Sequence, residues 1–404
     1  MKNSEAYNIG TVYLIGLGAF ALGMASYVMA GLVPMIVSDF SVSVATAGQL
    51  VTAFTLAYGI GSPIFVAMLP AQRQRMGLLL ALAVFTLANA ASALVTSYSA
   101  LIITRVFAGV SAGVYLAMGI AASAAVVPEN KRGQALAIIM GGMASGTVLG
   151  VPAGLMLAGN VGWASVMWLI SILGLFSMMG LAMKLPTLPA SEGSSIGEKL
   201  AILKDTRVTR ILAVSLLAAI SSLGLYTYLA PIMAYESLGG ITNITPWLWV
   251  WGVGGVLGSF LIGPLADRMN GPKLVMLIMI ALTVSLVALP VAANISPWLA
   301  MAPIAIWGAV GWALQVPQNN QLIKAREGQG GGNVAVALNE SALYLGSAIG
   351  AAGGGLVYAL QLGGWALPFA AAVVAGMGVL LQVTALNGSR RQAENNVCRC
   401  SSSR

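Results

Sequence analysis

The chain has 404 residues, of which 58% are hydrophobic and only 7% are charged, with a net charge of +8. Soluble domains carry roughly 25% charged residues, so this composition excludes an ordinary soluble enzyme, and a chain this apolar cannot remain solvated as a disordered protein. The absence of histidine removes imidazole bases and most catalytic zinc sites. The sequence predicts an integral membrane protein without a metal or cofactor site.

Twelve apolar stretches, named spans 1 to 12 here, are each long enough to cross a bilayer. They cover residues 11–37, 47–69, 76–95, 98–126, 134–158, 163–183, 211–235, 247–266, 274–293, 297–317, 334–360 and 364–386. The first stretch is too long for the apolar core of a cleavable signal peptide. We therefore expect an all-α membrane protein with twelve transmembrane helices.

A polar, partly amphipathic interval, residues 184–210, separates two groups of six spans. It predicts an N-terminal half (1–183), a cytoplasmic linker, a C-terminal half (211–386) and a tail (387–404). Two halves with equal span counts indicate an internal repeat, which is the usual plan of a secondary transporter. The sequence thus predicts two pseudo-symmetric six-helix halves.

The basic residues orient the chain. With the N-terminus inside, 18 of the 19 Lys and Arg residues fall in inside segments, and the exception, Arg105, lies in span 4. The positive-inside rule then predicts that both termini are cytoplasmic. The basic loops lack interleaved aromatic residues, so we expect no nucleic-acid partner. Cys398 and Cys400 are close together near the end of the sequence, which favours a disordered tail over a metal or lipid site.

Three motifs carry a resemblance to a known family. The loop after span 8, residues 263–273, reads Gly-Pro-Leu-Ala-Asp-Arg-Met-Asn-Gly-Pro-Lys. Span 4 spaces Leu, Arg, Gly and Gly by four residues over 101–113, and span 5 carries a glycine-rich run with a proline over 142–154. These resemble the loop, span 4 and antiporter motifs of the major facilitator superfamily, over residues 11–386. The valine before the span 5 proline is similar to bacterial sugar, nucleoside and chloramphenicol exporters.

The resemblance implies a drug:proton antiporter in a bacterial cytoplasmic (inner) membrane, monomeric and not an enzyme. It implies proton-coupled efflux of drugs or of small neutral or amphipathic metabolites by alternating access, with the proton as coupling ion and no cofactor. A specific exporter of a sugar or nucleoside, an importer, and a membrane receptor or scaffold without flux remain alternatives. A membrane-embedded enzyme is disfavoured because histidine is absent and a single carboxylate lies well within a span.

Two departures from the family pattern affect the expected mechanism. In the loop motif, Asp267 beside Arg268 can clamp helix ends by charge-assisted hydrogen bonds. The matching loop after span 2 has lost the acid and keeps Arg73 and Arg75. The link between helix ends is therefore weaker in the first half, or Arg73 and Arg75 bind the C-termini of neighbouring helices instead. Span 1 also lacks the acid that many relatives carry near residue 25, which weakens the usual assignment of proton coupling.

The glycines of span 5 recur every four residues along one helix stripe. Small residues allow close helix packing, and a proline removes one helical hydrogen bond and favours a kink. Packing alone is the simpler interpretation. The functional one is a hinge that resists leak, formed by Gly146, Gly150, Pro152 and Gly154.

Arg105 is the basic residue within a span. A guanidinium there costs about 2.5–3.5 kcal/mol, so it usually faces a wet cavity or a partner. Its face is shared by Gly109 and Ala112, and no acid of the outside loops is nearby in sequence. We expect it to face the central cavity and to tune an acid or bind a polar substrate group. Snorkelling to the outer interface is the alternative.

Glu340 is the carboxylate that lies well within a span, about five residues into span 11. An apolar environment disfavours a charged carboxyl, which makes Glu340 a candidate for reversible protonation. Hydration at the inner mouth, or pairing with Lys324 or Arg326, is an equal alternative. Asp39 and Glu236 lie at outer span ends, where solvated roles are expected, although coupling through Asp39 stays open.

Polar and aromatic residues within the spans are the candidates for a substrate cavity. They are Met24, Tyr27, Tyr58, Asn89, Tyr115, Tyr226, Tyr228, Trp307, Gln315, Asn339 and Tyr344. Together with the 20 methionines, they predict an adaptable and largely apolar cavity. Trp163, Trp247 and Trp298 lie at span ends and are predicted to be interfacial anchors.

Overall fold

The computed structural model describes residues 9–68, 73–128, 131–188, 197, 201–326 and 332–401. Within this part of the chain, eleven helices are long and apolar enough to cross a membrane. Eight of the twelve predicted spans are single helices: Ile9–Phe40, Gln74–Leu94, Tyr98–Ala125, Ala164–Lys184, Thr245–Arg268, Gly271–Ile295, Gly332–Ala359 and Ala366–Ser401. The all-α membrane fold predicted from the sequence is confirmed.

The other four spans are interrupted helices. Span 2 runs through Val44–Leu56, a wide turn at Ala57–Gly61 and Ser62–Met68, and span 5 through Arg132–Ser145, a wide turn at Gly146–Gly150 and Val151–Val161. Span 7 consists of Thr206–Thr227 and Leu229–Met233. Span 10 consists of Met301–Ala313 and Gln315–Ala325. Because each piece of span 10 is short, this predicted span is the one not counted among the eleven.

Each interruption accompanies a proline, although Pro34 and Pro290 lie within unbroken helices. The residue four positions before a proline is Gly59 in span 2, Val148 in span 5, Thr227 in span 7 and Ala313 in span 10, and every break lies at or beside it. Proline lacks the N–H that would donate to the carbonyl four residues earlier, and the proline ring clashes with the same carbonyl. The kink predicted at Pro152 is therefore present, as a wide helical turn that precedes the proline.

The two halves repeat the same pairs of neighbouring spans. Spans 1 and 5 pack together as spans 7 and 11 do, spans 2 and 4 as spans 8 and 10 do, and spans 3 and 6 as spans 9 and 12 do. Glycine allows the closest of these approaches: a Cβ added to Gly146 would overlap the Phe20 carbonyl, and one added to Gly350 would overlap the Ile220 carbonyl. This equivalence confirms the pseudo-symmetric arrangement of six and six.

The buried core shows where the halves meet. We call the end of the bundle at which span 1 begins and span 12 ends the termini face, and the opposite end the far face. Contacts between the halves join span 11 to Val44–Leu56 and the wide turn of span 2, and span 8 to the wide turn and Val151–Val161 of span 5, which are the middle and far-face parts of those spans. Toward the termini face each half has a smaller cluster of its own, one containing Val12 and Ala135 and the other Val208 and Leu322. The contacts between the halves are thus concentrated in the middle and at the far face.

Part of the linker is described and packs on the C-terminal half. Ile202 is buried in the small cluster of that half, and Asp205 begins span 7 by accepting a hydrogen bond from the Arg207 N–H. The carboxylate of Asp205 also lies 3.6 Å from Arg326 at the end of span 10. Residues 189–196 and 198–200 lie outside the described residues, so the predicted domain boundaries stay a prediction.

Candidate functional site

Six aromatic side chains from both halves meet in the middle of the bundle. This central aromatic cluster consists of Tyr27, Tyr58, Tyr226, Trp251, Trp307 and Tyr344. Tyr58 and Tyr344 stack across the two halves with ring centroids 3.5 Å apart and planes 14° apart. Tyr27 meets Tyr226 edge to face at 5.7 Å. Five of the predicted cavity candidates therefore gather at one place, on the boundary between the halves.

Sequence analysis missed Trp251, and it also missed Trp312, whose ring meets that of Trp251 with centroids 6.0 Å apart. The Trp251 ring lies 4.5 Å from that of Tyr226 and 5.9 Å from that of Tyr27. Its side chain is buried, and among the described residues its indole Nε1 has no hydrogen-bond partner. The corresponding nitrogen of Trp307 donates to the Ser222 hydroxyl at 2.7 Å. Trp251 could have been found from its spacing to Trp247. It lies one helical turn further into span 8 than this predicted anchor, and therefore away from the interface.

Glu340 lies beside the cluster on the side of the termini face. It precedes Tyr344 by one helical turn in span 11 and is partly exposed. Its carboxylate is close enough to act electrostatically on the hydroxyls of Tyr27 and Tyr58, in spans 1 and 2, and on that of Tyr344. Among the described side chains, the Glu340 carboxylate is thus placed near phenols from both halves.

Arg105 is completely buried inside the N-terminal half. Its Nη2 donates to the Ala25 carbonyl at 2.8 Å, and its guanidinium lies 4.4 Å from the centre of the Phe54 ring. Nε and Nη1 have no partner among the described residues. Complete burial does not match snorkelling to the interface. In this conformation the side chain joins spans 1, 2 and 4, and its predicted role in transport stays a prediction.

We expect Arg105→Ala to abolish flux while the protein still folds. Losing one buried hydrogen bond is offset by removing a costly charge from the span interior, so the midpoint of thermal unfolding should change by only a few degrees. Flux in vesicles and monodispersity in detergent are the measurements. Arg105→Lys keeps the charge without the planar guanidinium, and should recover only part of the flux. Normal flux in Arg105→Ala would disprove a transport role.

The remaining cavity candidates lie outside the aromatic cluster. Met24, Asn89, Tyr115, Tyr228 and Asn339 are fully buried, and Gln315 is exposed. The Asn89 amide donates to Phe85 O at 2.8 Å, and the Tyr115 and Tyr228 hydroxyls donate to Ile15 O and Ala351 O at 3.1 and 2.7 Å. The Asn339 amide donates to Asn319 Oδ1 at 2.9 Å. These contacts give the four residues packing roles, and their substrate roles stay predictions.

Residues predicted at the span ends are also placed. Asp39 lies at the far face, where its Oδ2 accepts a hydrogen bond from Trp163 Nε1 at 2.7 Å. Trp247 is buried and stacks on the exposed Trp298, with ring centroids 5.3 Å apart. Glu236 is exposed at the far face, and Arg268 is exposed where span 8 ends. The backbone of the tail continues the span 12 helix to Ser401, so the prediction of a disordered tail was wrong. The side chains of Asp267, Cys398 and Cys400 lie outside those that the structure describes.

The glycine run of span 5 packs against span 1. A Cβ on Gly150 would contact Met24 Cβ at 3.2 Å, and one on Gly154 would lie 2.6 Å from Met24 Cε. Gly146 begins the wide turn that precedes Pro152. The small residues thus provide the close packing predicted for them, and the hinge role of this segment stays a prediction.

Two equivalent helical halves that enclose an aromatic and acidic centre define a membrane transport protein. The sequence matches the Major Facilitator Superfamily over residues 15–327. The chain belongs to this superfamily, and it is a multi-pass membrane transporter of small molecules rather than an enzyme.

Comparison with known proteins agrees with this assignment. The chain is 31% identical to the inner membrane transport protein YdhP of Escherichia coli O157:H7 over 386 residues, 95% of this chain and 97% of the relative. It is 30% identical to a chloramphenicol resistance protein of Streptomyces lividans, over 87% of this chain and 89% of the relative. The crystal structure of a bacterial homologue of the human lysosomal transporter Spinster, inward-facing and unoccupied, is similar with a TM-score of 0.74 at 16% identity, over 95% of this chain and 98% of that one.

Proposed function

We propose that the protein exports small amphipathic or neutral molecules, drugs among them, in exchange for protons. The observation that carries the proposal is the position of Glu340, beside an aromatic cluster built from both halves and on the side away from the far face, where contacts between the halves are concentrated. A molecule that entered from the termini face would meet this carboxylate and these rings together. The far face, where spans 2 and 11 and spans 5 and 8 of the two halves pack together, would close the path beyond them.

The chemistry of the cluster supports an apolar or aromatic substrate that carries a few polar groups. Aromatic rings supply large contact areas, and the buried Trp251 Nε1 offers a donor that a substrate acceptor or a water would satisfy. Arg105, the basic residue within a span, is occupied inside the N-terminal half, so phosphorylated substrates would find no cationic group in the cluster. The relative named for chloramphenicol resistance agrees with export of such a molecule.

Proton coupling is proposed to run through Glu340. The proton affinity of a carboxyl depends on its hydration, and rocking of the two halves would change the hydration of this group. When the halves open toward the outside, the carboxyl would take up a proton. When they open toward the cytoplasm, it would release the proton as substrate binds.

Transport into inside-out vesicles tests the proposed function. The lumen of such vesicles corresponds to the cell exterior, so an acidic lumen should drive accumulation of a substrate from a panel of drugs, nucleosides and sugars. Collapse of the pH gradient should reduce accumulation to the level of vesicles that lack the protein. Equal accumulation with and without the pH gradient would refute proton coupling. The absence of accumulation for every compound of the panel would favour a receptor or scaffold. Selective accumulation of one nucleoside or sugar would establish the specific exporter instead.

The proposed orientation places the termini face in the cytoplasm of a bacterial inner membrane, with the protein acting as a monomer. The basic loops and the name of the YdhP relative support this placement. Asn160 is exposed where span 5 ends at the far face, and Gln134 is exposed in the first turn of the same span. In a background without Cys398 and Cys400, a membrane-impermeant thiol reagent should label Asn160→Cys from outside and Gln134→Cys only after lysis. The reverse pattern would overturn the orientation.

A further inference from the structure

A groove on the outside of the N-terminal half lies between spans 3 and 6 at the termini face. It has a volume of about 710 Å³ and a wall of apolar side chains that includes Leu79, Ala83 and Met178. Arg73 and Arg75 line the same groove at the beginning of span 3. An apolar trough with basic residues at one end is amphipathic in the same sense as a lipid.

The groove exists because two packed helices separate. Nearer the far face the helices touch: the Ser171 hydroxyl donates to the Thr86 carbonyl at 3.0 Å, and Gly174 lies against Thr86. Toward the termini face they part, and they are joined again where Arg75 Nη2 donates to Ala182 O in the last turn of span 6 at 2.8 Å. This bond confirms that an arginine of the loop after span 2 meets a helix C-terminus.

The dimensions of the groove match one leaflet of a bilayer. From Arg73 to Ala83 the groove follows ten residues of span 3, or about 15 Å at ~1.5 Å per residue, which is half of a ~30 Å hydrocarbon core. Side chains of its rim face outward, with Met76 59% exposed and Leu80 55% exposed. An acyl chain of the surrounding membrane has direct access to it.

The charge of the groove favours an anionic headgroup. Its described lining residues contain two arginines and no Asp or Glu, and Arg75 Nε is buried without a partner among the described residues. The equivalent seam of the C-terminal half, between spans 9 and 12, is joined by a neutral group, since the Gln382 amide donates to Pro272 O at 2.9 Å. A neutral amide is therefore enough to link such a pair of helices. The positive charge of the arginines in the first half is not needed for this link.

We propose that this groove binds one anionic phospholipid, with an acyl chain between spans 3 and 6 and the phosphate at Arg73 and Arg75. Basic pockets between membrane helices recognise anionic headgroups in this way. The site is separate from the central aromatic cluster, so the proposal depends on membrane embedding alone and not on the proposed substrate or coupling ion.

Native mass spectrometry of the detergent-purified full chain tests the proposal, with phosphatidylglycerol, phosphatidylethanolamine and inorganic phosphate as probes. We expect one phosphatidylglycerol to bind in preference to phosphatidylethanolamine, and inorganic phosphate not to compete. Each basic residue near an anionic lipid contributes roughly fivefold in affinity. Arg73→Gln with Arg75→Gln should therefore weaken binding of phosphatidylglycerol by about 25-fold.

Two further variants separate charge from the groove itself. Lys273→Gln removes a charge at the equivalent start of span 9 and should leave lipid binding unchanged. Ala83→Phe fills the groove and should weaken lipid binding with both arginines present. Because Arg75 also joins two helices, Arg73→Gln alone, with an expected fivefold loss, covers the case in which the double variant does not fold. Equal loss in Lys273→Gln, equal binding of phosphatidylethanolamine, or full competition by phosphate would overturn the proposal.

Discussion

Glu340→Gln is expected to abolish pH-driven accumulation of substrate in inside-out vesicles while substrate binding is retained. Glutamine has the shape of the protonated carboxyl but cannot release a proton, so the exchange cycle loses its coupling step. Glutamine would also leave a neutral polar group of the same size near Tyr27, Tyr58 and Tyr344, on spans 1, 2 and 11. Flux measured with and without an acidic lumen, together with equilibrium binding of the same substrate, gives the result.

Two variants make this expectation specific. Glu340→Asp retains a titratable group one methylene shorter and should keep a reduced but still pH-dependent flux. Asp39→Asn is the competing assignment, and Asp39 is already engaged at the far face by the indole of Trp163. We expect substrate flux in Asp39→Asn to remain driven by the pH gradient. Full pH-driven flux in Glu340→Gln with loss in Asp39→Asn would move the coupling site to span 1.

Gly48→Ala is expected to favour the conformation that is open at the far face. Gly48 in span 2 packs directly against the Tyr228 hydroxyl of span 7, and an added Cβ would overlap that oxygen. Tyr228 has little room to retreat, because its hydroxyl is bonded to Ala351 O at 2.7 Å and lies 2.7 Å from the position of a Cβ on Gly355. Overpacking costs about 1–3 kcal/mol, which changes the ratio of closed to open molecules by roughly fivefold to 150-fold.

Spin-label distances across the far face measure this change. Labels at Asn160→Cys and Leu360→Cys, in a background without Cys398 and Cys400, lie on opposite halves at exposed positions of that face. Their distance distribution should gain a longer component in Gly48→Ala. Gly353→Ala is the matched control, since a Cβ there has no neighbour within 4 Å. An unchanged distribution in Gly48→Ala, or an equal change in the control, would show that contact with Gly48 does not hold the far face closed.

Much of the architecture follows from the sequence because its causes are local. Bilayer thickness fixes how long an apolar stretch must be, so the spans could be counted and ordered from residues alone. A proline disturbs the helix at a fixed distance before it, so the kink in span 5 was predictable. The split of span 10 had the same signal in Pro317, although the sequence predicted one continuous span there. The motifs of spans 4, 5 and 8 likewise sufficed for the superfamily.

The composition of the site depended on tertiary structure. A span in lipid is apolar on all sides, so its pattern does not tell which face meets a neighbouring helix. Tyr115 and Tyr344 are both tyrosines in apolar spans, yet packing places the first inside one half and the second between the halves. Arg105 faces Ala25 and Phe54, and Trp251 enters the central cluster, because helix rotations are set by glycine contacts between spans. The sequence by itself determined the number and order of the spans, and the packing of those helices decided which side chains meet.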